Sequence, residues 1–372
     1  MFYKMEKKKQ KVFLGLSGGV DSSVSAYLLK KQGYDVVGVF IKVWQPDFVE
    51  CDWKKDRRDA MRICAKLNIP YLFFDFEKEY KKEVADYMIR EYEAGRTPNP
   101  DVMCNRYIKF GAFLDKALAM GADYVATGHY ARVEKREKRK DGKNDELSPF
   151  ASHLLTGCDN TKDQSYFLWT LGQKELSKIL FPVGHLKKSE VRKIAKGAGL
   201  ITADKKDSQG LCFVGKVEMK EFLNHFIKTE KGRVVDHSGH EIGEHDGAFY
   251  YTIGQRHGFK ITRKVSADKP MFVIGKDMKR NAITVSDNPN TRVEKSKTTL
   301  SDVNWISGKM PKTGKNYLAR FRYRQALQEC KITGSDKGRV RIMFSNNQPT
   351  LAPGQSLVFY DGEECLGGGV IE

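Results

Sequence analysis

The segment Ser17-Gly18-Gly19-Val20-Asp21-Ser22-Ser23 stands directly after the apolar run Lys11 to Leu16 and directly before a helical pattern. A strand, a glycine pair and a helix in that order build an anion nest, because paired glycines let the backbone tighten until successive N–H groups point inward. Ser17, Ser22 and Ser23 add hydroxyl donors, and a helix beginning at Ser22 would aim the positive end of its dipole at the same point. Phosphate is the ligand such a loop favours. The string lacks the Lys-Ser/Thr ending of a Walker A loop, which argues against a kinase-type or GTPase-type site.

The surrounding pattern is a βαβ alternation. Lys11 to Leu16, Asp35 to Lys42, Tyr71 to Asp75 and Asp123 to Thr127 are short β-branched or aromatic runs separated by segments of helical period. They predict an α/β fold with a doubly wound parallel sheet. Val24, Tyr27 and Leu28 make the apolar face of a first helix that Gly33 ends. Met61, Cys64 and Leu67 make that of a second, which ends before Pro70. Ligands of open α/β sheets sit outside the carboxyl ends of the strands, where the glycine-rich loop, Ile41 and the turn Thr127-Gly128-His129-Tyr130 should converge.

Farther along, Lys135 to Ser148 is dense in Lys, Arg, Asp and Gly and reads as a solvated hairpin or loop. Helical segments are expected over Asp163 to Leu171, Gln173 to Ile179, Ser189 to Ala198 and Val217 to Phe226. From Gly232 the chain turns to short strands and Gly-punctuated turns. These shifts predict three domains, 1–216 with the parallel sheet, a small β-rich linking domain over 217–292, and a C-terminal β-barrel over 293–372.

Sixty-five Lys plus Arg against 47 Asp plus Glu give a formal net charge of +18, a field that draws in polyanions and makes nucleic acid the natural partner. The seven cysteines are scattered with no Cys-x-x-Cys pair, which argues against a disulfide framework and against a zinc site. There is no long apolar run, and the Lys-rich start lacks the apolar core of a signal peptide, so a soluble cytoplasmic protein without membrane attachment is expected.

Two loops offer thiols. In Thr97-Pro98-Asn99-Pro100-Asp101-Val102-Met103-Cys104-Asn105, two prolines fix a loop that delivers a carboxylate and a thiol three residues apart near a helix start. A helix N-terminus together with Arg106 and Lys109 would lower the Cys104 pKa from about 8.5. Asp207-Ser208-Gln209-Gly210-Leu211-Cys212-Phe213 gives the second thiol. On the residues alone neither loop establishes a nucleophile, and a cysteine such as Cys104 reads first as a small apolar side chain packed under a loop.

The glycine-rich string resembles the PP-loop of the N-type ATP pyrophosphatases, which cleave ATP between the α- and β-phosphates and place AMP on a substrate oxygen. Its order with Asn99 to Asn105, Thr127 to Tyr130, Lys162-Asp163-Gln164-Ser165-Tyr166, Ser208 to Phe213, Tyr251-Thr252-Ile253-Gly254-Gln255-Arg256 and Arg322-Tyr323-Arg324 resembles that of the tRNA-specific 2-thiouridylases over nearly the whole chain. The departures are the charged insertion and Ile41, where Met is common. The resemblance implies ATP as substrate, with Mg²⁺ accompanying it, held by Gly15, Leu16, Ser17, Gly18, Gly19, Val20, Asp21, Ser22, Ile41 and Gly128.

It further implies that the C2 oxygen of a wobble uridine is adenylated and then replaced by sulfur carried as a Cys212 persulfide. The sulfur would come from a persulfide-donating carrier protein downstream of a cysteine desulfurase. Cys104 either attacks that persulfide, leaving a Cys104–Cys212 disulfide, or engages the activated base, and both routes stay open. Asp101 is the implied general acid/base. By the same resemblance Asn99, Pro100, Asp101, His129, Lys162, Asp163, Gln164, Arg322, Tyr323 and Gln355 contact the tRNA. A monomer is expected, and the Gly and polar content of 207–212 suggests a stretch that orders when tRNA binds. A different PP-loop ligase, or an inert RNA-binding protein using the loop to sense ATP, are the alternatives. Neither needs two thiols.

Overall fold

The computed structural model describes residues 9–49, 53–137, 150–207, 218–263, 269–288, 296–348 and 351–372. Cys212, Cys51 and most of the charged insertion lie outside the described residues, and with them the expected ordering of 207–212 beyond Asp207. The first sheet contains β1 (Lys11–Gly15), β2 (Asp35–Lys42), β3 (Tyr71–Asp75) and β4 (Tyr124–Ala126). The hairpin β5 (Ala131–Glu137) and β6 (Phe150–Thr156) follows, and β7 (Ile179–Leu180) completes the sheet. Its order is β3-β2-β1-β4-β7 with every pair parallel.

Val12 and Leu14 are fully buried and Phe13 nearly so, as a strand covered on both faces requires. Helix α1 (Val20–Lys31) follows β1, and Gly33 just beyond it takes φ +88°, the left-handed conformation that ends a helix. Helix α2 (Trp53–Leu67) buries Ala60, Ile63, Cys64 and Leu67. Met61, expected on that face, is 45% exposed because it lies one position off the i, i+3, i+4, i+7 stripe. The chain after β1 goes to β2 on one side, while β4 lies on the other. The loops after β1 and β4 therefore meet at a topological switch point.

The linking domain is a five-stranded sheet of β8 (Gly232–Val235), β9 (Glu241–His245), β10 (Lys260–Ile261), β11 (Phe272–Asp277) and β12 (Ala282–Ser286) in the order β10-β9-β8-β12-β11. The helix before it, Met219–Asn224, is shorter than the expected segment. The C-terminal strands are β13 (Lys297–Trp305), β14 (Asn316–Arg320), β15 (Gln328–Asp336), β16 (Arg339–Phe344), β17 (Ser356–Asp361) and β18 (Glu364–Ile371). They run β13-β16-β15-β14-β17-β18, and β18 pairs back with β13 to close a six-stranded barrel.

Two features depart from the sequence expectation. The charged insertion is flanked by the β5–β6 hairpin, whose strand β6 pairs antiparallel with β18, so the N-terminal region contributes strands to the barrel sheet. The expected helix over Asp163 to Leu171 is only a 3₁₀ turn at Ser165–Phe167. Asp163 Oδ1 accepts from the amides of Gly157 and Ser165, at 3.0 and 3.1 Å, and Tyr166, Leu168, Trp169 and Leu171 are all buried, leaving no solvent face for a surface helix. Trp169 and Tyr360 share one apolar cluster with Phe13 and Val125, so a single core runs from the parallel sheet into the barrel. Among the described residues no helix is long and apolar enough to cross a membrane.

Candidate active site

Helix α1 begins at Val20, two residues ahead of the expected start, with Gly19 as its N-cap and no side-chain cap. The first intrahelical bond runs from Ser23 N to Gly19 O at 3.2 Å, so the amides of Val20, Asp21 and Ser22 lack intrahelical partners and face the loop's concavity. Gly18 takes φ +73°, and a Cβ there would lie 2.4 Å from Asp56 O, so only glycine fits. The hydroxyls of Ser22 and Ser23 donate to Gly19 O at 3.1 and 2.7 Å, and Ser17 Oγ lies 3.2 Å from Ser22 Oγ. Ser23 is fully buried and braces the helix start rather than facing a ligand. Leu16 and Val20 also point into the core, so their contribution to a bound anion is backbone only, as is that of Gly15 at the end of β1. Ile41 sits half-buried near the end of β2, opposite Phe74.

The turn after β4 closes over this loop. A Cβ on Gly128 would come within 2.8 Å of Ser22 N and 3.0 Å of Asp21 C, both backbone atoms that cannot yield cheaply. Gly128→Ala is therefore expected to push the turn off the loop and weaken ATP binding by roughly tenfold or more, read by titration calorimetry, with ΔΔG of at least about 1–3 kcal/mol from overpacking.

Tyr130 OH donates to Asp21 Oδ1 at 2.7 Å, and Lys188 Nζ meets both Asp21 oxygens at 2.8 Å. Burial, then Asp21, raises the Tyr130 pKa, so its hydroxyl stays a donor. Lys188 also binds Asp207, which Lys162 and Arg192 hold from other sides. Burial works against ionisation of Asp207, but hydrogen bonds from Lys162 and Lys188 outweigh it and hold the carboxyl at about 2. Lys205 Nζ donates to Gly18 O at 2.9 Å and to Asp56 and Asp59 at 2.7 Å, tying the loop to α2.

The same turn reaches the thiol loop. Asn99 caps a short helix, Pro100–Met103, accepting from Val102 N at 3.4 Å, and the helix continues as a π-helix over Cys104–Ala112. A wide i→i+5 ladder stacks Lys109 one turn beyond Cys104, a device that recurs at functional sites. Cys104 is buried, at 7% exposure. Lys109 Nζ lies 3.4 Å from His129 Nε2, and His129 Nδ1 lies 2.7 Å from Thr127 Oγ1. Burial, then the Lys109 charge, pushes the His129 pKa well down. The ring is neutral, and the ammonium beside Nε2 assigns the proton to Nδ1, which donates to Thr127. Burial raises the Asp101 pKa, with Lys109 opposing. Arg106, expected beside the thiol, extends instead to Asp302 of the barrel at 2.7 Å.

Several residues that the resemblance placed on tRNA are engaged within the protein. Asp163 is 4% exposed and ion-paired with Arg320, so its carboxylate faces inward rather than along an RNA path. Gln164 Oε1 accepts from Tyr130 N at 3.0 Å, bracing the turn. Gln355 Nε2 donates to Thr97 O and Pro98 O at 2.9 and 3.2 Å, holding the loop that carries Asn99, Pro100 and Asp101 against the barrel. Arg322 Nη2 donates to Ile253 O at 2.8 Å, and the Tyr323 ring packs 4.7 Å from that of Phe167. Lys188, Arg192, Lys205 and Asp207 were not singled out in sequence as site residues. Their partners are up to 187 residues away, and charge at such separations leaves no periodic trace.

Family models match three consecutive spans: a tRNA methyl transferase HUP domain over 10–216, a tRNA methyl transferase PRC-barrel domain over 220–287, and an aminomethyltransferase beta-barrel domain over 295–371. The chain is 47% identical over 365 residues, 97% of its length and 94% of the relative's, to a tRNA-specific 2-thiouridylase MnmA of Geobacillus thermodenitrificans. To the one of Streptococcus mutans it is 46% identical over 373 residues, 99% and 96% of the two lengths. A solved U34-tRNA thiolase NcsA from Methanococcus maripaludis aligns at TM-score 0.35 and 18% identity, covering 56% of this chain and 62% of that one, too remote to bear on chemistry. A phosphate-binding loop and a partly buried carboxylate beside a buried thiol, joined by one turn, thus sit in a scaffold matched along nearly its whole length, and the chain belongs to the tRNA-specific 2-thiouridylase family.

Proposed function

We propose that the chain is an ATP-dependent tRNA-uridine 2-sulfurtransferase, acting on the wobble uridine with release of AMP and pyrophosphate. The observation that carries this reading is the turn Thr127 to Tyr130, whose four residues touch both reaction halves. Gly128 abuts the nucleotide loop and Tyr130 holds Asp21, while His129 contacts the Lys109 whose charge acts on Asp101. Adenylation and sulfur transfer must happen at one base, so the two sets of groups must share a wall.

A uridine C2 oxygen is amide-like and leaves poorly. Its attack on the α-phosphate, with the N3 proton lost to Asp101, forms an O–P bond and expels pyrophosphate. Sulfur then adds at C2 and AMP departs with the former C2 oxygen. A carboxylate with a raised pKa suits proton transfer near neutrality. Cys212 carries the sulfur as a persulfide, loaded by a carrier protein. If Cys104 attacks that persulfide, hydrosulfide is released and a Cys104–Cys212 disulfide remains for an external thiol to reduce. Asp21, the carboxylate in the first turn of α1, would hold the Mg²⁺ that accompanies the nucleotide, giving up bonds from Tyr130 and Lys188 to do so. When bound, Mg²⁺ neutralises phosphate charge. The single-stranded anticodon loop lets the base be splayed into the site, where Asn99 and Pro100, next to Asp101 at the helix start, would contact it. The reading includes a monomer working in the cytoplasm.

Mass analysis of nucleosides from unmodified tRNA, incubated with the protein, ATP, Mg²⁺ and a persulfide donor, tests this. New 2-thiouridine with stoichiometric AMP is expected, lost in Cys212→Ala. AMP without a sulfur-bearing nucleoside would point to another PP-loop ligase.

Asp101 also makes a stability prediction. At low pH its carboxyl is neutral in folded and unfolded chains alike. As pH rises, the unfolded chain ionises first, so the buried carboxyl withdraws stability up to and through its raised folded pKa. Asp101→Asn is therefore expected to raise the neutral-pH Tm above that of the native chain while abolishing thiolation, and the Tm difference should vanish below about pH 3. A melting series across pH checks it.

A further inference from the structure

Asp207 occupies a cup of three cations. Its carboxylate meets Lys162 Nζ at 2.8 Å, Lys188 Nζ at 2.9 Å and Arg192 Nη2 at 2.8 Å. Converging donors of this kind match the oxygens of a phosphoryl group as well as those of a carboxylate. Lys188 is the innermost, with a side chain 13% exposed, and it joins the cup to Asp21 in the first turn of α1. The loop from Gly15 to Ser23 contains no Lys or Arg. Its backbone amides and helix end can hold a phosphate, but a departing pyrophosphate gathers several negative charges, and fixed cations beside the leaving group lower that barrier most.

We propose that Lys188, with Lys162 and Arg192, forms the subsite for the β- and γ-phosphates of ATP, and that Asp207 keeps this cup until the phosphates replace its carboxylate. This rests on the ATP-dependent reading above. As the uridine oxygen bonds to the α-phosphorus, the bond to the bridging oxygen breaks, and its electron pair stays on the pyrophosphate that the cup receives. No oxidation or further reactant is involved. The cup also lies where an RNA phosphate could be imagined. A largely covered lysine bonded to the loop's own carboxylate favours the nucleotide, since an RNA backbone is met by exposed lysines.

Titration calorimetry of the full-length protein with inorganic pyrophosphate and, separately, with AMP decides the matter, alongside tRNA filter binding. Lys188→Met should weaken pyrophosphate binding by about tenfold or more and leave AMP within about twofold. Lys188→Arg should recover part of the loss. Asp207→Asn should tighten pyrophosphate binding, because it removes the competing carboxylate, whereas a merely structural tie would give a lower Tm and no gain. Unchanged pyrophosphate affinity in Lys188→Met overturns the subsite, as does a loss confined to tRNA binding, which would make the cup a reader of RNA backbone. If Lys188→Met does not fold, Asp207→Asn carries the test, and pyrophosphate binding that is unchanged or weaker overturns the proposal. A native chain that binds neither ATP nor pyrophosphate sinks the ATP reading itself, a result separate from native binding that survives the loss of Lys188.

Discussion

Cys104→Ala is expected to cut 2-thiouridine formation on the order of 10³-fold or more, the scale on which removal of one reacting group acts, while AMP and pyrophosphate still bind. The thiol is buried in the first turn of a helix that starts at Pro100, three residues beyond Asp101, and the substitution removes one sulfur atom from a packed site. Folding should survive it. The measurement also separates the two routes left open by the residues. If Cys104 only releases sulfur from the Cys212 persulfide, added sulfide should restore turnover in Cys104→Ala. If it engages the base, sulfide should restore nothing. Turnover near the native rate with a persulfide donor would remove Cys104 from the reaction altogether.

The second large effect concerns stability. Arg320 and Asp163 are 9% and 4% exposed at their side chains and form an ion pair across 157 residues, with Arg320 Nε also donating to Tyr360 OH at 3.0 Å. Breaking a buried pair by removing one partner leaves a charge without compensation, at a cost of about 3–5 kcal/mol. Arg320→Met and Asp163→Asn should each lose that much in denaturant unfolding. The double replacement should lose less than the sum of the two, because it leaves no orphaned charge. The affinity of the remaining folded protein for tRNA should stay near native, and a large fall with stability intact would return Asp163 to the RNA path.

Local signals carried much of the fold. The edges of β2 and β3 lie where the β-branched and aromatic runs begin and end: β2, covered on both faces, writes its burial into consecutive residues, and the half-buried edge strand β3 is marked by its aromatic run. Gly33 ended α1 for a reason visible in one residue. What escaped was structure made at a distance. The apolar stretch from Tyr166 to Leu171 reads as helix by composition, but four of its six residues are buried and its start is tied by the carboxylate of Asp163. A hairpin at the charged insertion was legible, but its pairing with β18 of the barrel was not. In the site, the glycine-rich loop was legible as an anion nest from local geometry alone. Lys188 and Asp207 were not, since nothing in their neighbourhood distinguishes them from other surface charges until the fold brings them to Asp21.

The pairing of β6 with β18, Leu155 opposite Glu364 and Leu154 opposite Cys365, also bears on how the chain is made. These partners lie about 200 residues apart, so β18 leaves the ribosome long after β6. At synthesis rates of roughly 5–20 residues per second, the hairpin waits on the order of 10–40 seconds for its neighbour, with the edge of β6 open to other chains. The N-terminal region can gather its parallel sheet early, but the seam between β6 and β18 closes only after β18 has been made. Premature termination before β18 should therefore yield aggregates rather than a smaller working protein.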